Sequence, residues 1–335
     1  MIQFFYLDYS VPCVCPYLFC SNRVGGQGEV ALHLIDLMHE DGITLNVQAY
    51  GAAIWSCVKA GLWEDALRLF DNLENECQIN TQECLKPDID IFTAAIWACD
   101  LGGKPDRAIE LLKLAKYNGL KRQTSTFDAA LSCTMKAGDY KQCLQLLKWM
   151  ETENVPRSAL SFKTVLHALD ASDKPEEMYE IYLQALREGH FSPWVGNTRK
   201  IDLSDFTTPV AKVAIKCVLD SMRTGKLDIF KVGIICECRD DECDVDTPIY
   251  KPSDVSCIVD EDGVEHCVID EDFGMHNIVD TASLSSFIIQ QHPANILEIE
   301  AETLNQDDGK KKLLLTITRD SLAKWRYVAQ ESTNS

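Results

Sequence analysis

The sequence predicts a mainly α-helical chain, an α-solenoid of helix–turn–helix repeats followed by a small α/β domain that carries an acidic, disordered insertion. Three observations lead there. Small and apolar residues recur every 35 positions between residues 12 and 193. After residue 195 that rhythm stops, and apolar runs of strand length alternate with helical ones. Between residues 237 and 280, 15 side chains are acidic and two are basic.

Composition sets the outer limits. The chain has 335 residues, 46% apolar and 25% charged, which is ordinary for a folded protein with about two domains. No run of about 18 uncharged apolar residues occurs, so no membrane partner is expected. The formal charge of −20 argues at first against nucleic acid, whose phosphates usually meet a basic surface. Much of that acidity is local, because the stretch 237–280 alone carries −13. Residues 12–195 and their short leader remain acidic, with 17 basic and 26 acidic side chains up to residue 195.

Residues 1–11 are left unassigned. The stretch 1–22 is apolar and aromatic, but it lacks a basic start and is broken by Asp8, Pro12 and Pro16, so it makes a poor signal peptide. It is not Arg- and Ser-rich like a transit peptide either, and we expect a truncated or misread start. Fifteen cysteines, odd in number and scattered, predict reduced thiols packed as small apolar residues rather than a disulfide framework.

Four series keep the repeat rhythm. Gly26, Gly61, Gly103 and Gly138 are 35, 42 and 35 apart. Ala31, Ala66, Ala108, Cys143 and Met178 follow it, as do Leu34, Leu69, Leu111, Leu146 and Ile181. Tyr50, Phe92, Phe127 and Phe162 mark an earlier position in each unit. The one long interval is a seven-residue insertion within 75–84. Each unit predicts two helices: Tyr50–Ala60, closed by a left-handed turn at Gly61, then Trp63–Glu74 with Ala66, Leu67, Leu69, Phe70 and Leu73 on one face. Lys86-Pro87-Asp88 closes the unit, since proline cannot continue a helix. One such hairpin cannot bury its apolar face alone, so neighbours must share a core.

The 35-residue period, the aromatic opening, the Ala-Gly turn and the closing Leu-Lys-Pro-Asp together resemble pentatricopeptide repeats. The resemblance covers units 47–88, 89–123, 124–158 and 159–193. A degenerate unit, 12–46, keeps only its second helix. It implies binding of single-stranded RNA at about one base per repeat. The code positions it implies are the residue after the aromatic and the last residue of the repeat: Gly51 with Asp88, Thr93 with Gln123, Asp128 with Ser158, and Lys163 with Pro193. No pair matches the family's readable combinations, although Thr93 supplies a hydroxyl and Asp88 an acceptor. The base-sandwiching position holds Gln48, Asp90, Ser125 and Leu160 rather than valine. Lys113, Lys116, Lys121 and Arg122 are expected to form a basic rim.

In residues 196–335 the pattern predicts a strand at 201–203, a helix at Thr208–Met222 and a strand at Ile229–Cys236. A helix at Ser283–Gln291, strands at Ile296–Glu302 and Leu313–Thr318, and a closing helix at Asp320–Trp325 follow. The run from Ile201 to Met222 and the ending from Lys310 to Trp325 resemble the Smr (small MutS-related) domain. That family opens with Asp-Leu-His-Gly and has a Gly-x-Gly loop, whereas this chain has Asp202-Leu203-Ser204-Asp205 and runs from its second strand into Glu237-Cys238-Arg239. Catalysis is therefore not expected. The cysteines 236, 238, 243, 257 and 267, with His266 and His276, lack paired knuckle spacing, and no metal or other cofactor is expected. A ribonuclease P arrangement is not expected either, because the Asp-rich run is not placed at strand ends.

These readings converge on a single-stranded RNA-binding protein acting in organellar RNA processing, stability or translation, located in mitochondrion or plastid by resemblance alone. No DNA partner is expected. The rival is a protein–protein adaptor using the solenoid groove, and a weaker one is a residual Smr-type endonuclease.

Overall fold

The computed structural model describes residues 28–40, 45–79, 86–191, 200–203, 206–223, 232–238, 255–259, 265–269, 287, 299–305 and 311–317. They fall into two compact units, one containing residues up to Arg157 together with Tyr250–Phe273, the other containing Ser158–Ile249 and Gly274–Ser335.

Among the described residues the first unit has the helix α1 (Gly28–Glu40) and three helical hairpins: α2 (Val47–Lys59) with α3 (Trp63–Ile79), α4 (Ile89–Leu101) with α5 (Pro105–Tyr117), and α6 (Thr124–Lys136) with α7 (Tyr140–Thr152). α2, α4 and α6 are the inner helices. Each packs on both flanking outer helices, and α4 and α6 also pack on the inner helix before them. This layer is built from small residues, as in Gly51-Ala52-Ala53 and Thr93-Ala94-Ala95, so the helices come close and every residue from Ile91 to Asp100 is buried. The periodic aromatics Tyr50, Phe92 and Phe127 are at most 1% exposed. Phe70 of α3 meets Phe92 of α4 edge-on, with ring centroids 5.1 Å apart. The outer helices bury one stripe only: Ala66, Leu69, Phe70 and Leu73 in α3, and Ala108, Leu111, Leu112 and Ala115 in α5.

The helices begin about three residues before the aromatic, because Asn46 and Asp88 cap them. Their side chains accept from Ala49 N at 2.8 Å and Ile91 N at 2.9 Å. The expected glycine turns are present, with φ of +76° at Gly61, +60° at Gly103 and +74° at Gly138. Gly61 N donates to Val58 O and Leu62 N to Cys57 O, which closes α2 by two back-bonds. A second left-handed series, not marked in the sequence reading, closes the outer helices at Gly119, Asn154 and Gly189. In the seven-residue insertion, α3 continues to Ile79. Cys57, Cys99, Cys133 and Cys143 are free and buried, and burial pushes the Cys143 thiol up to about 11.

The second unit contains α8 (Ala159–Ala171), α9 (Pro175–Arg187), β1 (Lys200–Asp202), α10 (Thr208–Arg223), β2 (Val232–Cys238), β5 (Ile299–Asn305) and β6 (Lys311–Ile317). The sheet order is β1-β2-β6-β5, with β1 and β2 parallel and the other two pairs antiparallel. The parallel pair is joined through α10, as a crossover connection requires. The expected strands and helix of this region are thus present, with β2, β5 and β6 displaced by two or three residues. The helices expected at 283–291 and 320–325 lie outside the described residues, apart from Phe287, which is helical.

α10 packs on both α8 and α9. Tyr182 stacks on Phe191 at 6.0 Å, and Phe191 meets Phe206 at 5.8 Å, so aromatic contacts run from the last repeat into the approach to α10. Where the charge run at 237–280 predicts an unstructured loop, the described residues form an antiparallel hairpin, β3 (Val255–Val259) with β4 (Glu265–Ile269). Its alternating Val, Ile and Cys positions suit a strand despite the flanking acids.

Candidate nucleic-acid interface

The implied base-reading positions fall at equivalent places. Gly51, Thr93, Asp128 and Lys163 are each the fifth residue of an inner helix, while Asp88, Gln123 and Ser158 are each the N-cap of the next one. Within the first unit the geometry brings two of the implied pairs to one edge. A Cβ built on Gly51 would lie 3.2 Å from Ile91 Cγ1, and the Ile91 amide is the one capped by Asp88. One repeat later, Thr93 Oγ1 lies 2.7 Å from Thr126 Oγ1, and Thr126 is three residues after Gln123. Within the first unit, Gly51 and Thr93 therefore each rest against the third residue of the following inner helix, beneath that helix's N-cap.

The side chains themselves are largely engaged. Gly51 is buried, as are Thr93 and Asp128, which are 4% and 7% exposed. Thr93 donates to Ile89 O at 2.8 Å. A hydroxyl has one hydrogen, so Thr126 is the donor in the Thr93–Thr126 bond. Asp88 and Ser158 spend an oxygen on capping, Ser158 within a capping box with Ser161. Gln123 is exposed and makes no side-chain cap bond. Lys163 is half-buried in α8. Of the sandwiching positions, Gln48 is exposed and Asp90, Ser125 and Leu160 are half-buried. Thr126 was missed in the sequence because its role depends on helix spacing, not on period.

Of the expected basic rim, Lys113, Lys116 and Lys121 are exposed, but Arg122 is buried. Arg122 is 2% exposed at its side chain, pairs with Glu153 through both Nη2 and Nε, and donates to Leu112 O at 3.3 Å. Its guanidinium centre also lies 4.8 Å from the Phe127 ring centroid and 5.7 Å from that of Trp149. Lys116 reaches the same Glu153 at 2.7 Å, and Lys113 lies over Trp149. Burial raises the Glu153 carboxyl, but Lys116 and Arg122 outweigh it and hold it below its ordinary value. One carboxylate thus offsets one of the four positive charges, and aromatic faces hold Lys113 and Arg122 in place.

Carboxylates near the C-terminal ends of the inner helices behave differently. Asp100, twelfth in α4, is shielded completely at its side chain and meets Lys136 of α6 at 2.6 Å. Asp170, also twelfth, in α8, meets Lys212 of α10 at 3.8 Å, with both side chains partly exposed. Among the described residues no group of three or more His, Cys, Asp or Glu is placed to hold a metal, and no helix is long and apolar enough to cross a membrane. Of the cysteine candidates, the β3–β4 register sets Cys257 opposite Cys267.

Comparison with known proteins bears on the helical repeats. Residues 49–77 match the family model of the PPR repeat, and residues 91–192 match the model described as pentatricopeptide repeat-containing protein. A pentatricopeptide repeat-containing protein of Arabidopsis thaliana is 25% identical over 172 residues. That match takes in 48% of this chain and 50% of the relative, so the chain spans half the length of the protein it matches. Among solved structures, the PPR domain of Arabidopsis thaliana protein-only RNase P 1 in complex with tRNA is 16% identical with a TM-score of 0.47, covering 55% of this chain and 92% of that one. The pentatricopeptide repeat protein PPR10 in complex with an 18-nt psaJ RNA element is 16% identical with a TM-score of 0.41, covering 63% and 33%. The periodic helices, their aromatic and glycine positions, and the two family matches agree: this chain carries pentatricopeptide repeats over residues 49–77 and 91–192.

Proposed function

We propose that this chain binds single-stranded RNA along the N-terminal edges of its inner helices and acts in organellar RNA processing, stability or translation, without chemistry of its own. The observation that carries the reading is the repeated placement of a fifth-position residue, Gly51 and then Thr93, against the next inner helix just inside its N-cap, within segments that match pentatricopeptide repeats. A base can be read one at a time only if such positions recur in register. Gln123 is the best placed reader, since its amide is exposed and its cap bond is unmade. Asp88, Ser158, Thr93, Asp128 and Lys163 contribute where their existing bonds leave an acceptor or donor, and Gly51 contributes close packing. The C-terminal unit is read as a degenerate Smr-like domain that adds a binding surface, and the location as mitochondrion or plastid.

A second reading, a protein adaptor that holds a peptide or helix in the groove, is favoured by the burial of Thr93 and Asp128 and the acidic balance of the repeats. Fluorescence anisotropy of the full chain with labelled random-sequence RNA separates the two. RNA binding predicts an affinity that falls linearly in log–log form between about 50 and 200 mM salt. No binding at the lower salt rejects the RNA reading and leaves the adaptor.

A further inference from the structure

We infer that the cavity between α8, α9 and α10 is a phosphate site that takes a backbone phosphodiester of single-stranded RNA. The inference rests on the RNA-binding reading above and adds a contact outside the repeat positions. In a chain of charge −20, this cavity of about 270 Å³ is lined by three lysines, Lys174, Lys212 and Lys216, against two carboxylates, Asp170 and Asp173. The lysines come from two separate segments: Lys174 from the turn before α9, and Lys212 and Lys216 from one face of α10, four residues apart.

Three features distinguish it from an ordinary solvated cluster. First, the carboxylate at the same helical position two repeats earlier is closed, with Asp100 and Lys136 at 2.6 Å and the carboxylate sealed. At Asp170 and Lys212 the separation is 3.8 Å, beyond hydrogen-bond length, and the pair opens into the cavity. An oxyanion can therefore reach Lys212 by loosening a long ion pair, with no hydrogen bond between Asp170 and Lys212 to break. Second, α9 starts at this cavity with Pro175 at its first turn and no side-chain cap, so the positive end of its dipole adds to the lysine charge. Glu176 and Glu177 of the same turn are not among the lining residues. Third, Lys216 is held over the Tyr179 ring at 5.8 Å, which fixes one ammonium in place before a ligand arrives. Lysine is a point-charge phosphate binder, and three ammonium groups around one volume suit a tetrahedral anion better than a planar carboxylate.

The test is anisotropy of the full chain with a labelled single-stranded RNA, across a salt series, alongside the variant Lys212→Gln/Lys216→Gln. Losing two lysine contacts should weaken binding about tenfold at low salt and make the log–log salt slope shallower by about one. The converse variant, Asp170→Asn/Asp173→Asn, should bind more tightly, because it removes the charges that oppose a phosphate. Thermal melts of both variants near the wild-type value show that the fold is kept. If the wild type binds RNA and the lysine variant matches it in affinity and slope, the cavity is no phosphate contact, while the repeat reading stands. If the wild type binds no RNA, both fall together.

Discussion

Lys136 Nζ lies 2.6 Å from Oδ2 of Asp100, and that carboxylate is wholly shielded from solvent. The pair ties α6 to α4 at the ends opposite their N-caps. Burial is the largest influence on Asp100 and raises its carboxyl above the ordinary value, although Lys136 pulls the other way. Lys136→Met should therefore cost about 3 kcal/mol, since it leaves a buried carboxyl without its counter-charge. Adding Asp100→Leu should return most of it. The sign in pH follows from a raised folded-state value: the carboxyl favours folding below its unfolded value and opposes it as pH rises. The deficit of Lys136→Met should thus shrink on acidification toward pH 4, as urea midpoints at several pH values will show.

Two adjacent glycines end α4 for different reasons. Gly103 sits at φ +60° with open space around it, whereas a Cβ on Gly102 would meet the Trp63 ring at 2.5 Å. Gly103→Asn should be tolerated within about 1 kcal/mol, because asparagine accepts the left-handed region. Gly102→Ala should cost about 2 kcal/mol through overpacking, and only this cost should be relieved by Trp63→Leu. Denaturant unfolding of the three variants decides it.

His167 in α8 has a buried Nε2 without a hydrogen-bond partner among the described residues. Burial, with Lys163 adding to it, lowers its value from 6.5 to about 4. The folded chain therefore holds it neutral, and the unfolded chain protonates first. Stability should fall by about 3 kcal/mol as pH drops from about 6.5 to 4, and His167→Leu should flatten that part of the profile. An unchanged profile in the leucine variant would place the acid sensitivity elsewhere.

The N-caps separate stability from recognition. Asp88→Ala should cost about 1 kcal/mol of stability by losing its bond to Ile91 N. Gln123→Ala has no cap bond to lose and should leave the melting temperature within about a degree. It should instead weaken RNA binding by roughly 1 kcal/mol, about fivefold, and do so for some RNA sequences more than others. Paired melts and anisotropy on the same preparations compare the two effects.

Period carried most of the helical half. The aromatic series became the buried inner layer, and three glycines became left-handed turns. The second turn series stayed hidden because Asn154 replaces glycine in its middle. The candidate edge was legible as positions but not as accessible groups, since whether Thr93 is covered depends on how closely α6 approaches α4. The neutralisation of Arg122 was invisible for a similar reason: Glu153 lies 31 residues further on. In the C-terminal half, acidity masked the hairpin at 255–269, where hydropathy alone suits strands. The lysine-lined cavity joins residues about 40 apart through a strand that no periodicity connects.

α10 has a consequence for how such a chain can lengthen. From the α9 turn onward Lys212 lies by Asp170, and one turn later Lys216 lies over Tyr179, so α10 advances in the same sense as α9. Inner helices run against their preceding outer helix, so α10 is no further repeat but a cap on the α8–α9 hairpin. A duplicated repeat placed after α9 would therefore lose the cap that α10 provides. A unit spliced in after residue 191 would have to evict α10 and tear β1 from its connection to β2.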